Sequence, residues 1–138
     1  GPAGPEPQVL AAMRAGDTDR GRQARSWGRR ADRLTAWLMW ARGWDLEASN
    51  LHLGRSELDL VMTRGDELRL LEVKARRAGA WTGADTALHQ EQRLRLQRGL
   101  RSLLDRAPWP GRITFQRVSW AGWRPTFHPP ERWEGLRA

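Results

Sequence analysis

Cysteine and tyrosine are absent from the 138 residues, and lysine occurs once, at Lys74. Without thiols there is no disulfide framework, no Cys-ligated zinc or iron–sulfur cluster, and no thiol nucleophile. No apolar run approaches the ~18–20 residues that a membrane span needs, and no signal-peptide hydrophobic region opens the sequence. The expectation is therefore a soluble, cytoplasmic protein with no membrane partner, nucleoid-associated if bacterial. A chain of 138 residues matches one domain, since ~100–200 residues per domain is usual.

Positive charge is what the sequence has in excess. Twenty-four basic residues face 16 acidic ones, for a net charge of +8. The sequence pI is near 11.6, above the ~9 that marks a polyanion binder. Twenty-three of the basic residues are arginine. A GC-rich genome accounts for that excess as readily as selection for phosphate contacts. The one surviving lysine is then the more informative residue.

Residues 1–25 are rich in Gly, Pro, Ala and Arg and read as a mobile basic arm, with residues 7–14 as its one candidate helix. Ser26 is a candidate helix cap. Ala31, Leu34, Trp37, Leu38 and Ala41 then recur at three- and four-residue spacing until Gly43, which predicts an amphipathic helix. Strands are expected at 44–51, 57–63 and 67–75, the last two joined by the turn Arg64-Gly65-Asp66. Residues 76–83 form a basic loop around Trp81. A second helix follows over 85–106, with Leu88, Leu94, Leu100, Leu103 and Leu104 as its apolar positions and Pro108 and Pro110 beyond its end. Strands at 112–120 and 123–127 close a domain over 26–128, and 129–138 reads as a polar tail. The predicted order is α-β-β-β-α-β-β, a mixed α/β fold.

The hairpin carries the chemistry. Strand alternation puts Glu57 and Asp59 on one face with Leu58 and Leu60 on the other; on the partner strand Leu70, Glu72 and Lys74 share a face opposite Leu71 and Val73. Asp59, Glu72 and Lys74 are then brought to one side of a sheet whose other side is apolar. Polar groups set among leucines and valines are costly unless paired or metal-bound. Two carboxylates suit Mg²⁺ or Mn²⁺, with the Val73 carbonyl as a further oxygen ligand. An ammonium beside them can orient the attacking water or offset transition-state charge, and arginine would be a poor proton acceptor in that role. A Glu-x-Lys pair on a strand is also read as a solvated ion pair.

The stretch Asn50-Leu51-His52-Leu53-Gly54-Arg55-Ser56-Glu57-Leu58-Asp59-Leu60-Val61, with Leu70-Leu71-Glu72-Val73-Lys74-Ala75-Arg76, resembles the YraN-like proteins. These belong to the restriction-endonuclease-like superfamily and are related to archaeal Holliday-junction resolvases. The resemblance covers roughly residues 28–120. It implies a PD-(D/E)xK core with a mixed central sheet flanked by helices, Asp59 and Glu72 as metal ligands, and Lys74 as the catalytic lysine. The family's helix glutamate falls on Asp32, which completes the acidic cluster or else pairs with Arg29 or Arg33. Three positions depart from the family pattern: Ser56 replaces a glycine, Gln90 a lysine, and Thr114-Phe115-Gln116 an Arg-Phe-Asp.

The resulting expectation is a metal-dependent DNA endonuclease selective for branched, flap or junction DNA, acting in repair or recombination. Symmetric junctions would favour a homodimer. Arg29, Arg30, Arg76, Arg77 and Gln90 are the expected nucleic-acid contacts, and Trp81 a stacking residue. Glu57 either joins the site or accepts from an arginine. His52, His89 and His128 are isolated, so solvated or packing roles are expected and zinc is not. The rival readings are a non-catalytic nucleic-acid-binding module and a basic structural protein on ribosomal RNA.

Overall fold

A computed structural model describes residues 7–14, 30–76 and 83–134. Its elements are α1 (residues 8–14), α2 (Arg30–Ala41), β1 (Asp45–Leu53), β2 (Ser56–Arg64), β3 (Glu67–Arg76), α3 (Gly83–Arg106), β4 (Arg112–Ala121), β5 (Arg124–Phe127) and β6 (Glu131–Arg132). The sheet runs β1-β2-β3-β4-β5, with β6 also paired to β4. The β3–β4 pair is parallel and the others antiparallel. Helix α3 lies in the crossover between the parallel strands, the connection such a pair requires. The result is the expected α/β architecture with a mixed central sheet flanked by helices.

Each face of the sheet packs its own core. On one, Val9, Leu10 and Met13 of α1 and Leu96, Leu100 and Leu104 of α3 cover Leu51, Leu58, Val61, Leu68, Leu70 and Phe115. On the other, Ala36 and Met39 of α2 cover Leu60, Met62, Leu71, Val73, Val118 and Trp120. Among the described residues no helix is long and apolar enough to cross a membrane.

Four sequence expectations are corrected. In the expected arm over 1–25 the candidate helix at 7–14 forms as α1, but it is no mobile segment: its apolar side is fully buried and Arg14 pairs with the buried Glu47; the rest of that arm lies outside the described residues. The expected tail beyond 128 contributes β6 and the buried Trp133, which stacks on Phe115 at 4.9 Å between ring centroids. Prolines at 129 and 130 interrupt the strand pattern without ending the domain, because two residues suffice to pair with β4. The buried side of α2 is Asp32, Thr35, Ala36 and Met39, while Trp37 is 61 % exposed. The predicted stripe is rotated because Thr35 is buried as a hydrogen-bonded link. Its hydroxyl donates to the Ala31 carbonyl at 2.7 Å and accepts from Trp120 Nε1 at 2.8 Å. In α3, likewise, Leu96 is buried and Leu94 is 52 % exposed.

The β2–β3 turn is tied to the start of β4. Gly65 adopts φ +61° in the turn, a conformation glycine tolerates without strain. The Asp66 carbonyl accepts from Arg112 N–H at 2.9 Å and from Trp109 Nε1 at 3.0 Å. This staple sets the parallel register that brings Glu72 beside Arg117 and Lys74 beside Ser119.

Candidate active site

The β2–β3 ladder runs from Arg64↔Glu67 to Leu60↔Leu71 and stops there. Beyond that pair, the Val73 N–H donates to Asp59 Oδ2 at 2.7 Å. On the other side of β2, Asn50 takes φ +51°, between the pairs Ser49↔Leu60 and Leu51↔Leu58. Strand alternation fails across this irregularity. Leu58 packs into the α3-side core and Leu60 into the α2-side core, whereas simple alternation predicts one face for both. The broken ladder opens the sheet at Asp59.

Asp59, Glu72 and Lys74 line one cleft of about 230 Å³, with Arg55, Ser56, Glu57, Gln92, Arg95 and Leu96. The Lys74 Nζ lies 3.6 Å from Glu72 Oε1, and Arg117 Nε lies 3.5 Å from Glu72 Oε2. Glu72 is itself buried. Asp32 is buried in the first turn of α2, where the helix dipole favours a carboxylate. It lies close enough to Asp59 to disfavour ionisation there.

The Asp59 carboxyl is pushed up to about 7. Burial is the main cause; the negative charges of Asp32 and Glu72 add to it, while the Val73 N–H and Lys74 oppose it. A carboxyl so destabilised in its charged form is primed to gain from a cation. Among the described residues no group of three or more His, Cys, Asp or Glu is arranged to enclose a metal ion. The carboxylates that line the cleft are Glu57, Asp59 and Glu72, oxygen donors of the type that hard divalent cations take.

The remaining predicted residues divide. Glu57 is exposed on the cleft wall beside Asp59. Val73 contributes its N–H to Asp59 and its side chain to the α2-side core. Arg30 sits 5.0 Å above the ring of Trp123, outside the cleft. Gln90 is exposed on α3, and it is Gln92 and Arg95 that line the cleft. Arg29, Arg77, Trp81 and the Arg76 side chain lie outside the described residues. Arg117 was missed by sequence reasoning. It becomes a neighbour of Glu72 only through the parallel register of β3 and β4. Gln92, Arg95 and Leu96, by contrast, share one face of a helix at three- and four-residue spacing, a signal readable in advance.

Gln116 faces away from the cleft. It pairs with Leu71 in register, accepts from Arg69 Nη1 at 2.9 Å and donates to the His128 carbonyl at 2.9 Å. Arg69 also donates to Thr114 and to buried Glu67, at 3.0 and 2.7 Å, beneath a Trp44 ring 4.5 Å away. The departure from the family's aspartate thus falls in a structural network on the α2 side.

Comparison with known proteins finds a family model, described as uncharacterised protein family UPF0102, matching residues 31–119. A UPF0102 protein of Parvibaculum lavamentivorans is 38% identical over 97 residues, covering 70% of this chain and 71% of that protein. One from Caulobacter vibrioides is 35% identical over 127 residues, covering 84% and 93%. One from Pseudomonas aeruginosa is 38% identical over 79 residues, covering 57% and 62%. These names specify no reaction.

Proposed function

The chain belongs to the UPF0102 family, the YraN family of the resemblance, and we propose that it is a divalent-metal-dependent nuclease acting on DNA. The observation that carries this reading is the convergence of Asp59, Glu72 and Lys74 on one cleft, with Arg55 and Arg95 on its walls. Asp59 and Glu72 would hold Mg²⁺ or Mn²⁺, with the Val73 carbonyl as a further oxygen. When bound, the ion would polarise the scissile phosphate and lower the pKa of a water.

The chain's own residues supply the rest. The Val73 N–H engages one oxygen of Asp59 and leaves the other for the cation. Lys74 orients the attacking water and offsets the charge that builds on phosphorus-bound oxygens. In the hydrolysis the water oxygen bonds to phosphorus, the bridging P–O bond breaks, and a proton ends on the departing alkoxide. Arg55 and Arg95 bind backbone phosphates, which contributes affinity without base readout. Junction, flap or branched DNA is the proposed substrate class, in repair or recombination, with a homodimer the form suited to a two-strand cut.

A metal-titrated cleavage assay on branched and linear DNA tests this reading. Cleavage that requires Mg²⁺ or Mn²⁺ and is lost in Glu72→Ala is the expected result. One observation favours a second reading: both oxygens of Glu72 face cations, at 3.6 and 3.5 Å. A non-catalytic nucleic-acid-binding module would bind DNA, cut nothing at any metal concentration, and bind equally well as Glu72→Ala.

A further inference from the structure

A second pocket of about 230 Å³ is lined, among the described residues, by Arg117, Ser119, Thr126 and His128. Its geometry follows from the strand register. Ser119 pairs with Thr126, and the His128 N–H donates to the Arg117 carbonyl at 3.0 Å. The four side chains are therefore two cross-strand pairs, two residues apart, on one face of the β4–β5 ribbon. The parallel register continues the rows into the cleft, as Glu72–Arg117–His128 and Lys74–Ser119–Thr126. Neighbouring strands lie ~4.8 Å apart, so the pocket is one strand beyond the candidate cation site on the same face.

Every group lining this pocket can donate a hydrogen bond, and among the described residues none is a carboxylate. Ser119 Oγ and His128 Nε2 are 2.9 Å apart, which brings hydroxyl and imidazole together. His128 is held at both backbone ends, by Arg117 and by the Gln116 side chain. Arg117 Nε is buried without a hydrogen-bond acceptor among the described residues, and Glu72 at 3.5 Å is too distant for a good one. A guanidinium and two hydroxyls with an imidazole make a donor set suited to tetrahedral oxyanions.

We propose that Arg117, Ser119, Thr126 and His128 form a phosphate-binding subsite, which seats a backbone phosphate of the same nucleic-acid strand whose neighbouring linkage lies at Glu72 and Lys74. The subsite rests on the nuclease reading for its place in catalysis, but its ligand chemistry is testable alone. With a phosphate seated beyond β4, the strand is fixed in direction across the cleft. The subsite then determines which linkage meets the cation.

The test uses the full, folded chain without metal. Inorganic phosphate, thymidine 5′-monophosphate and the diester thymidylyl-thymidine are titrated while the His128 ring and Ser119 amide are followed by NMR. Saturable shifts at both residues are expected, with affinity at least tenfold weaker in Thr126→Glu. Thr126 is exposed, so that substitution sets a carboxylate in the pocket mouth without touching the core. Tighter binding of the monoester would assign the subsite to a terminal phosphate, and tighter binding of the diester to an internal one; either supports a phosphate subsite. Absence of shifts in the folded protein, or equal affinity in Thr126→Glu, overturns it. Phosphate binding that persists in a protein showing no metal-dependent cleavage would sink the nuclease reading and leave the subsite standing.

Discussion

The Val73 backbone N–H donates to Asp59 Oδ2 at 2.7 Å, where the ladder between β2 and β3 has already ended. A side chain thus takes the hydrogen bond that a strand carbonyl would otherwise accept. The sheet opens by one residue, and the carboxylate is held in the gap with Glu72 and Lys74 on the same cleft.

Asp59→Asn tests this arrangement directly. An amide oxygen still accepts from Val73, while the buried charge disappears. At pH 8 without metal the variant should be about 1–3 kcal/mol more stable than the parent, and Mn²⁺ binding should be lost. Thermal unfolding and calorimetric Mn²⁺ titration measure the two effects. A variant that is less stable yet still binds Mn²⁺ would mean that Asp59 serves the fold alone.

The pH dependence of the ion-free protein follows from the same residue. The Asp59 carboxyl rises from 3.8 to about 7 on folding, so between those values the folded chain holds a proton that the unfolded chain has released. Stability from this group is therefore greatest below about pH 4 and falls as pH rises to about 7. The loss is bounded at about 4 kcal/mol. Denaturant titrations at pH 5 and pH 8 should show it, and Mg²⁺ or Mn²⁺ should restore stability at pH 8.

Lys74 makes its ion pair with Glu72 at 3.6 Å, beyond a good hydrogen bond, and is a quarter exposed. Lys74→Ala should abolish turnover while changing stability and DNA affinity little. Steady-state cleavage beside a salt-matched binding isotherm separates the outcomes. Gross unfolding would identify the lysine as structural.

Gly111 lies against the staple between the β2–β3 turn and β4. A Cβ there would come within 1.8 Å of the Asp66 carbonyl oxygen. Gly111→Ala must displace backbone that already accepts from Arg112 and Trp109, and should cost about 3 kcal/mol or more. Since the staple sets the β3–β4 register, cleavage should fall with it. Denaturant midpoints measure the cost.

Trp133 fills the α3-side core and stacks on Phe115. Trp133→Ala should destabilise by about 3–5 kcal/mol, and removal of residues 129–138 should do at least as much. A truncated protein with an unchanged unfolding midpoint would place the domain's end at His128.

How much was legible in advance depends on the range of the interaction. The hairpin was, because two β-type runs flank a turn that needs glycine, and Asp59, Glu72 and Lys74 sit within it; the break in alternation that sends Leu58 and Leu60 to opposite faces was not. The burial of Val9, Leu10 and Met13 in α1 was not, since so short a helix has no stability until it docks on α3 and the sheet. The exposure of Trp37 was not either, since Thr35 turns inward instead: a hydroxyl hydrogen-bonded to both Ala31 and Trp120 makes a good buried group.

Local order in the sequence determined the strands, the helices and the residue types of the acid–lysine triplet, because periodicity and turn chemistry act between near neighbours. Tertiary structure alone decided that Arg117 flanks Glu72, and that Ser119 and His128 meet in a pocket beside them. Those relationships join residues of different elements, and their distances depend on sheet register and helix docking.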